Sequence, residues 1–87
     1  MTKVRIPQVL LTLTNNEELV HVSGKNVRQI IDELDISYPG VKAALLDNGK
    51  LKPDVAVMLD GKIGQLGLLE PVSDENELLF IPAISGG

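Results

Sequence analysis

The chain closes on Ser85-Gly86-Gly87. Glycines add no side chain to a core, and each loses more backbone freedom on ordering than any other residue. A terminal pair with no helix to cap and no turn to close therefore has little structural use. It has a chemical use if the segment threads a channel too narrow for a Cβ and delivers the Gly87 carboxylate to a reaction centre on another protein. Drawn out as a strand, Ala83 to Gly87 would reach about 17 Å beyond the element before it. A frayed terminus is the plain alternative.

Few other residues here suit chemistry. There is no Cys, which excludes disulfides, Cys-held zinc, iron–sulfur clusters and a thiol nucleophile. The single His, His21, alternates with Val20 and Val22 and reads as a solvent-side strand residue. A formal charge of −4 supplies no positive face for a phosphate backbone. Gly64-Gln65-Leu66-Gly67 has the glycine spacing of an RNA-binding KH loop, with Lys62 the one basic residue close by, too little for phosphate clamping. Gly61-Lys62 lacks the spacing and following hydroxyl of a P-loop. Asp74, Glu75 and Glu77 read as a solvated turn rather than a cation site. No apolar run approaches the roughly 20 residues that span a bilayer, and the N-terminus has no signal-peptide pattern. These features predict a soluble cytoplasmic protein with no nucleic-acid or membrane partner, no bound metal or cofactor, and no catalytic activity of its own.

The elements that would carry such a terminus follow from periodicity. The chain has 87 residues, 44% of them hydrophobic, with Tyr38 and Phe80 its aromatics. That is one small domain with a core of Val, Ile and Leu. Val4 and Ile6 alternate with polar residues, and after Pro7 the phase shifts to Val9, Leu11 and Leu13. This predicts one strand with a bulge or edge position at Pro7, joined through a turn at Thr14–Glu17 to a second strand over Glu18–Val22. Val27, Ile30, Ile31, Leu34 and Tyr38 lie on one helical face, with Asn26 as N-cap and Gln29 in the capping-box position. Pro39 stops that helix. A short helical turn follows to Leu46 and ends at Asp47-Asn48-Gly49. Asp54–Leu59 is a third strand closed by Asp60-Gly61, Lys62–Val72 is irregular, and Glu77–Pro82 is the last strand. The order predicts an α+β roll, a sheet of four to five strands with one main helix on one face. Residues 1–82 form the domain and 83–87 a flexible tail. The pleat sends Val55, Val57, Leu59, Leu78 and Phe80 toward the helix. Ala56, Met58, Leu79 and Ile81 then point outward, as an apolar strip beside the root of the tail.

This order is that of the ubiquitin-like β-grasp fold, and the whole chain resembles the small sulfur-carrier proteins of the ThiS/MoaD superfamily. The resemblance is strongest over Asp74-Glu75-Asn76-Glu77-Leu78-Leu79-Phe80-Ile81-Pro82-Ala83-Ile84-Ser85-Gly86-Gly87, with Ile6-Pro7, Tyr38-Pro39-Gly40-Val41 and Leu45-Leu46-Asp47 as secondary matches. Pro7 and Tyr38-Pro39-Gly40 resemble the carriers of molybdopterin and cysteine biosynthesis more than those of thiazole synthesis. Where relatives often carry an Ile-Arg pair after the third strand, this chain has Ile63-Gly64-Gln65. The resemblance implies that an E1-like enzyme uses ATP to adenylate the Gly87 carboxylate. A sulfur donor then displaces AMP to leave a thiocarboxylate, which feeds a sulfur-accepting synthase. Gly86 would thread the channel, and Met58, Leu79, Ile81 and Ile84 would contact partners. A ubiquitin-like modifier joined through Gly87 to lysines, or a non-catalytic binding module, are the other readings.

Overall fold

The computed structural model describes residues 1–82, and Ala83–Gly87 lie outside the described residues. The long helix α1 (Val27–Ser37) starts where the capping pattern places it. Asn26 Oδ1 accepts from the Gln29 amide at 2.9 Å, while Gln29 Oε1 accepts from the Lys25 amide at 2.9 Å, one residue before the usual capping-box donor. One of the orphan donors at the helix start, the Gln29 amide, is thus satisfied by the cap, and the second bond fixes the residue before the cap. Val27, Ile30, Ile31 and Leu34 are at most 1% exposed and lie against a five-stranded sheet. Asp35 Oδ1 accepts from the amides of Gly40 and Lys42, each at 3.1 Å, and so ties the end of α1 to the short helix α2 (Val41–Leu45).

The sheet contains β1 (Thr2–Arg5), β2 (Leu19–Val22), β5 (Val55–Leu59), β6 (Lys62–Ile63) and β7 (Glu77–Pro82), in the spatial order β2-β1-β7-β5-β6. β1 and β7 pair in parallel at the centre, and the other neighbours are antiparallel. Val4, Val57, Leu78 and Phe80 line the inner face and are nearly or fully buried under α1. The architecture is α+β, a mixed sheet with its main helix on one side.

Three sequence expectations are corrected. The strand does not continue past Pro7: Gln8–Thr14 is a 3-10 helix. Pro7 has no N–H to extend the ladder after the Ile6–Glu18 bond, and its fixed φ suits a helical start, with the Leu10 amide donating to its carbonyl at 2.9 Å. Burial follows the helical spacing of Leu10 and Thr14, while Val9 is 68% exposed. β1 and β2 are therefore antiparallel neighbours without a tight hairpin between them. Asn48-Gly49 does more than end α2. It closes a two-residue turn between β3 (Leu46–Asp47) and β4 (Lys50–Leu51). Positive φ at Asn48 and Gly49, and again at Asp60 and Gly61, is the signature of the turn type that matches strand twist. The second of these turns creates β6 at the start of a segment expected to be irregular.

Candidate functional site

The outer sheet face is built by the register. Leu19 pairs with Arg5, Arg5 with Leu79, Leu79 with Met58, and Met58 with Ile63. Directly paired residues share a face, so these five side chains form one row across all five strands. Ala56 and Ile81 pair beside it. Met58 and Leu79 are half-buried, Ile81 is 37% exposed, and Ile63 is 61% exposed. The adjacent Leu78 and Phe80 are 0% and 1% exposed on the other face. Ile84, Gly86 and Gly87 lie outside the described residues.

Three members of the row escaped the sequence reading. Arg5 and Leu19 enter it only once the parallel β1–β7 pairing is known. Ile63 was within reach, because a two-residue turn at Asp60-Gly61 places it opposite Met58. Arg5 is the cation of the row. Its Nε donates to Glu77 Oε1 at 3.2 Å and approaches Oε2 at 3.4 Å. The pair is substantially exposed and contributes at most about 1 kcal/mol. It sets a charged spot next to apolar surface rather than holding the fold. Arg5, Met58, Asp60, Gly61, Glu77 and Leu79 surround a depression of about 450 Å³.

The start of β7 is fixed by a polar network. Asp60 Oδ1 accepts from the Glu77 amide at 2.9 Å, Asp60 Oδ2 accepts from Asn76 Nδ2, and the Asp60 amide donates to the Glu77 carbonyl at 2.9 Å. Asn76 Oδ1 in turn accepts from the Ser73 amide at 2.7 Å. The fully buried Thr2 donates its hydroxyl proton to the Ser73 carbonyl at 2.9 Å. The carboxylates of Asp74, Glu75 and Glu77 take no part in this network: Asp60 locks the β5–β6 turn to β7, and Asn76 ties the turn before β7 to it. From that anchor β7 pairs with β1 as far as Leu79 and with β5 as far as Pro82, opposite Val55. The strand that precedes the tail is thus held at its start and along its length.

Comparison with known proteins covers nearly all of this. The ThiS family profile matches residues 4–87. The sulfur carrier protein CysO of Mycobacterium tuberculosis is 28% identical over 89 aligned positions, covering 97% of this chain and 96% of that protein. In the crystal structure of a BexX/CysO complex from Amycolatopsis orientalis, the matching chain superposes with a TM-score of 0.93 at 32% identity, each chain covered in full. The solution structure of small archaeal modifier protein 1 from Methanosarcina acetivorans gives a TM-score of 0.83 at 22% identity, covering 99% of this chain and 95% of that one, a likeness of fold alone. The fold is a ubiquitin-like β-grasp. No helix among the described residues is long and apolar enough to cross a membrane.

Proposed function

Because the chain belongs to the ThiS family, we propose that it is a sulfur carrier, a protein co-substrate that holds sulfur on its own C-terminus rather than an enzyme. One observation carries this reading: the family match extends from the first strand through Gly86-Gly87. Similarity to the sulfur carrier protein CysO supports it, and among molybdopterin, cysteine and thiazole synthesis it favours the cysteine route.

The chemistry proceeds in two displacements. An oxygen of the Gly87 carboxylate attacks the α-phosphate of ATP on an E1-like enzyme. The α–β phosphoanhydride bond breaks, pyrophosphate leaves, and a poor electrophile becomes an acyl adenylate. A sulfur donor of the hydrosulfide level then attacks the carbonyl carbon, the bond to AMP breaks, and a thiocarboxylate remains. Its anionic sulfur is the nucleophile offered to the acceptor synthase. This chain contributes the carboxylate and the surface that delivers it, while ATP is bound by its partner. Met58, Leu79, Ile81 and Ile84 dock each partner in turn, and Gly86 keeps the channel passage free of a Cβ.

Pyrophosphate exchange into ATP tests the first displacement. With the cognate activating enzyme, the full chain supports exchange, and a chain lacking Gly87 or extended by one residue does not. Exchange that persists without Gly86-Gly87 overturns the reading. Recovery of the activated chain on lysines of other proteins, with no thiocarboxylate, identifies a modifier instead.

A further inference from the structure

β2 is an outer strand of the sheet. The Ile6 amide donates to the Glu18 carbonyl at 2.9 Å. Hydrogen-bonded pairs alternate along an antiparallel ladder, so Val4–Val20 and Thr2–Val22 are the bonded pairs that follow. The N–H and C=O groups of Leu19 and His21 consequently point away from β1, along the free edge. Such edges are blunted by shortness, Pro, Lys or a bulge, and Leu-Val-His-Val, at four residues, has only the first of these.

Beside this edge runs a groove of about 450 Å³ between β2 and the C-terminal half of α1. Val20, Val22 and Leu34 form its buried floor, Tyr38 is a half-buried wall, and Glu17 and Glu33 are exposed on its rim. Among the described residues no Lys or Arg lines it; its basic members are His21 and Met1, whose amino group is paired with Asp74 Oδ1 at 3.3 Å. It shares no lining residue with the outer-face depression.

We propose that this groove is a second docking site, which takes an extended, basic segment of a partner protein as an added strand on β2. The free edge supplies main-chain bonds. The apolar floor accepts alternate side chains of the segment, as in other cases of strand addition. The acidic rim selects Lys or Arg beside them. The same acidity disfavours a second copy of this chain, which would bring its own Glu17 and Glu33 and a charge of −4 to the seam. The groove shares Leu19 with the end of the outer-face row and no residue with the outer-face depression, so a partner held here leaves Met58, Leu79 and Ile81 available.

The test uses the full chain, labelled with nitrogen-15, titrated with a capped octapeptide Lys-Lys-Val-Ser-Val-Ser-Val-Lys. Amide signals of Leu19, His21 and Ser37 should move in a saturable way, and binding should weaken as salt rises. The double variant Glu17→Lys, Glu33→Lys should bind about tenfold more weakly. Both side chains are exposed, and the unshifted remainder of the spectrum checks that the fold is kept. N-methylation of the peptide amides that would face β2 should abolish binding. Deleting Gly86-Gly87 should change nothing, which separates this result from any failure of the sulfur-carrier reading. The proposal is overturned if the peptide does not bind by about 1 mM, if the N-methylated peptide binds equally well, if the shifts fall on Arg5, Met58 and Leu79, or if β2 is already occupied in a dimer of this chain.

Discussion

On the sulfur-carrier reading Gly87 acts only when other residues bring it to its partner, and Met58, Leu79 and Ile81 share the outer face proposed for that contact. Alternation along Val55–Leu59 and Glu77–Pro82 was enough to turn these three outward, because Phe80 and Leu78 had to be inside. Arg5 and Leu19 were not legible, since strand pairing at a distance sets their row and no local pattern encodes it. Met58→Asp and Ile81→Asp should each leave the melting temperature within a few degrees of the parent, because neither side chain is in the core. Affinity for the activating enzyme, measured by calorimetry, should fall at least about tenfold, as expected when a charge enters a desolvated contact. An unchanged affinity in both variants would remove this face from the docking surface. Asp60 belongs to a different class. Its carboxylate bridges a turn and a strand through two accepted bonds, so Asp60→Ala should cost about 1–3 kcal/mol in a denaturant titration.

Helix α1 was the most legible element. Its cap, its apolar stripe and its stop at Pro39 agree, and each has a separate physical cause. The segment after Pro7 misled because Val9, Leu11 and Leu13 alternate like a strand while Leu10 and Thr14 carry the burial. The missing proline N–H outweighed the alternation. The β3–β4 turn was hidden for the opposite reason: two-residue strands are too short to show a period, although Asn48-Gly49 marks the turn between them. Truncating a buried aliphatic side chain typically costs about 2–5 kcal/mol, and a domain of this size holds little more in total. Ile30→Ala and Leu34→Ala should therefore be largely or wholly unfolded at physiological temperature by circular dichroism. Asn26→Ala removes one cap bond, costs about 1 kcal/mol, and should stay folded. Equal melting temperatures for all three would contradict the packing of α1.

On the scale of the molecule, the first and last strands meet in parallel at the sheet centre, and everything between them forms the crossover. Likeness to the β-grasp fold implies that pairing, whereas periodicity does not give it, because a hydrophobic pattern records which face is buried and not which strand lies next to which. The arrangement has a functional consequence. β1 flanks β7 over Glu77–Leu79 and β5 flanks it over Leu78–Pro82, so the strand reaches Pro82 paired with β5, beside the outer-face row. Among the described residues the buried core falls between Thr2 and Phe80, and the sulfur-carrier reading predicts that changes at Gly86 and Gly87 leave thermal stability alone. The central claim is that Gly87 carries sulfur, and the most direct measurement is the intact mass of the full chain after incubation with its activating enzyme, ATP and a sulfur donor. The parent chain should gain the mass difference between oxygen and sulfur, and chains with Gly86→Ala, with Gly87 deleted or with one added residue should not. A parent chain that stays unmodified while its partner enzyme consumes ATP, or a mass gain that survives deletion of Gly87, would contradict the account.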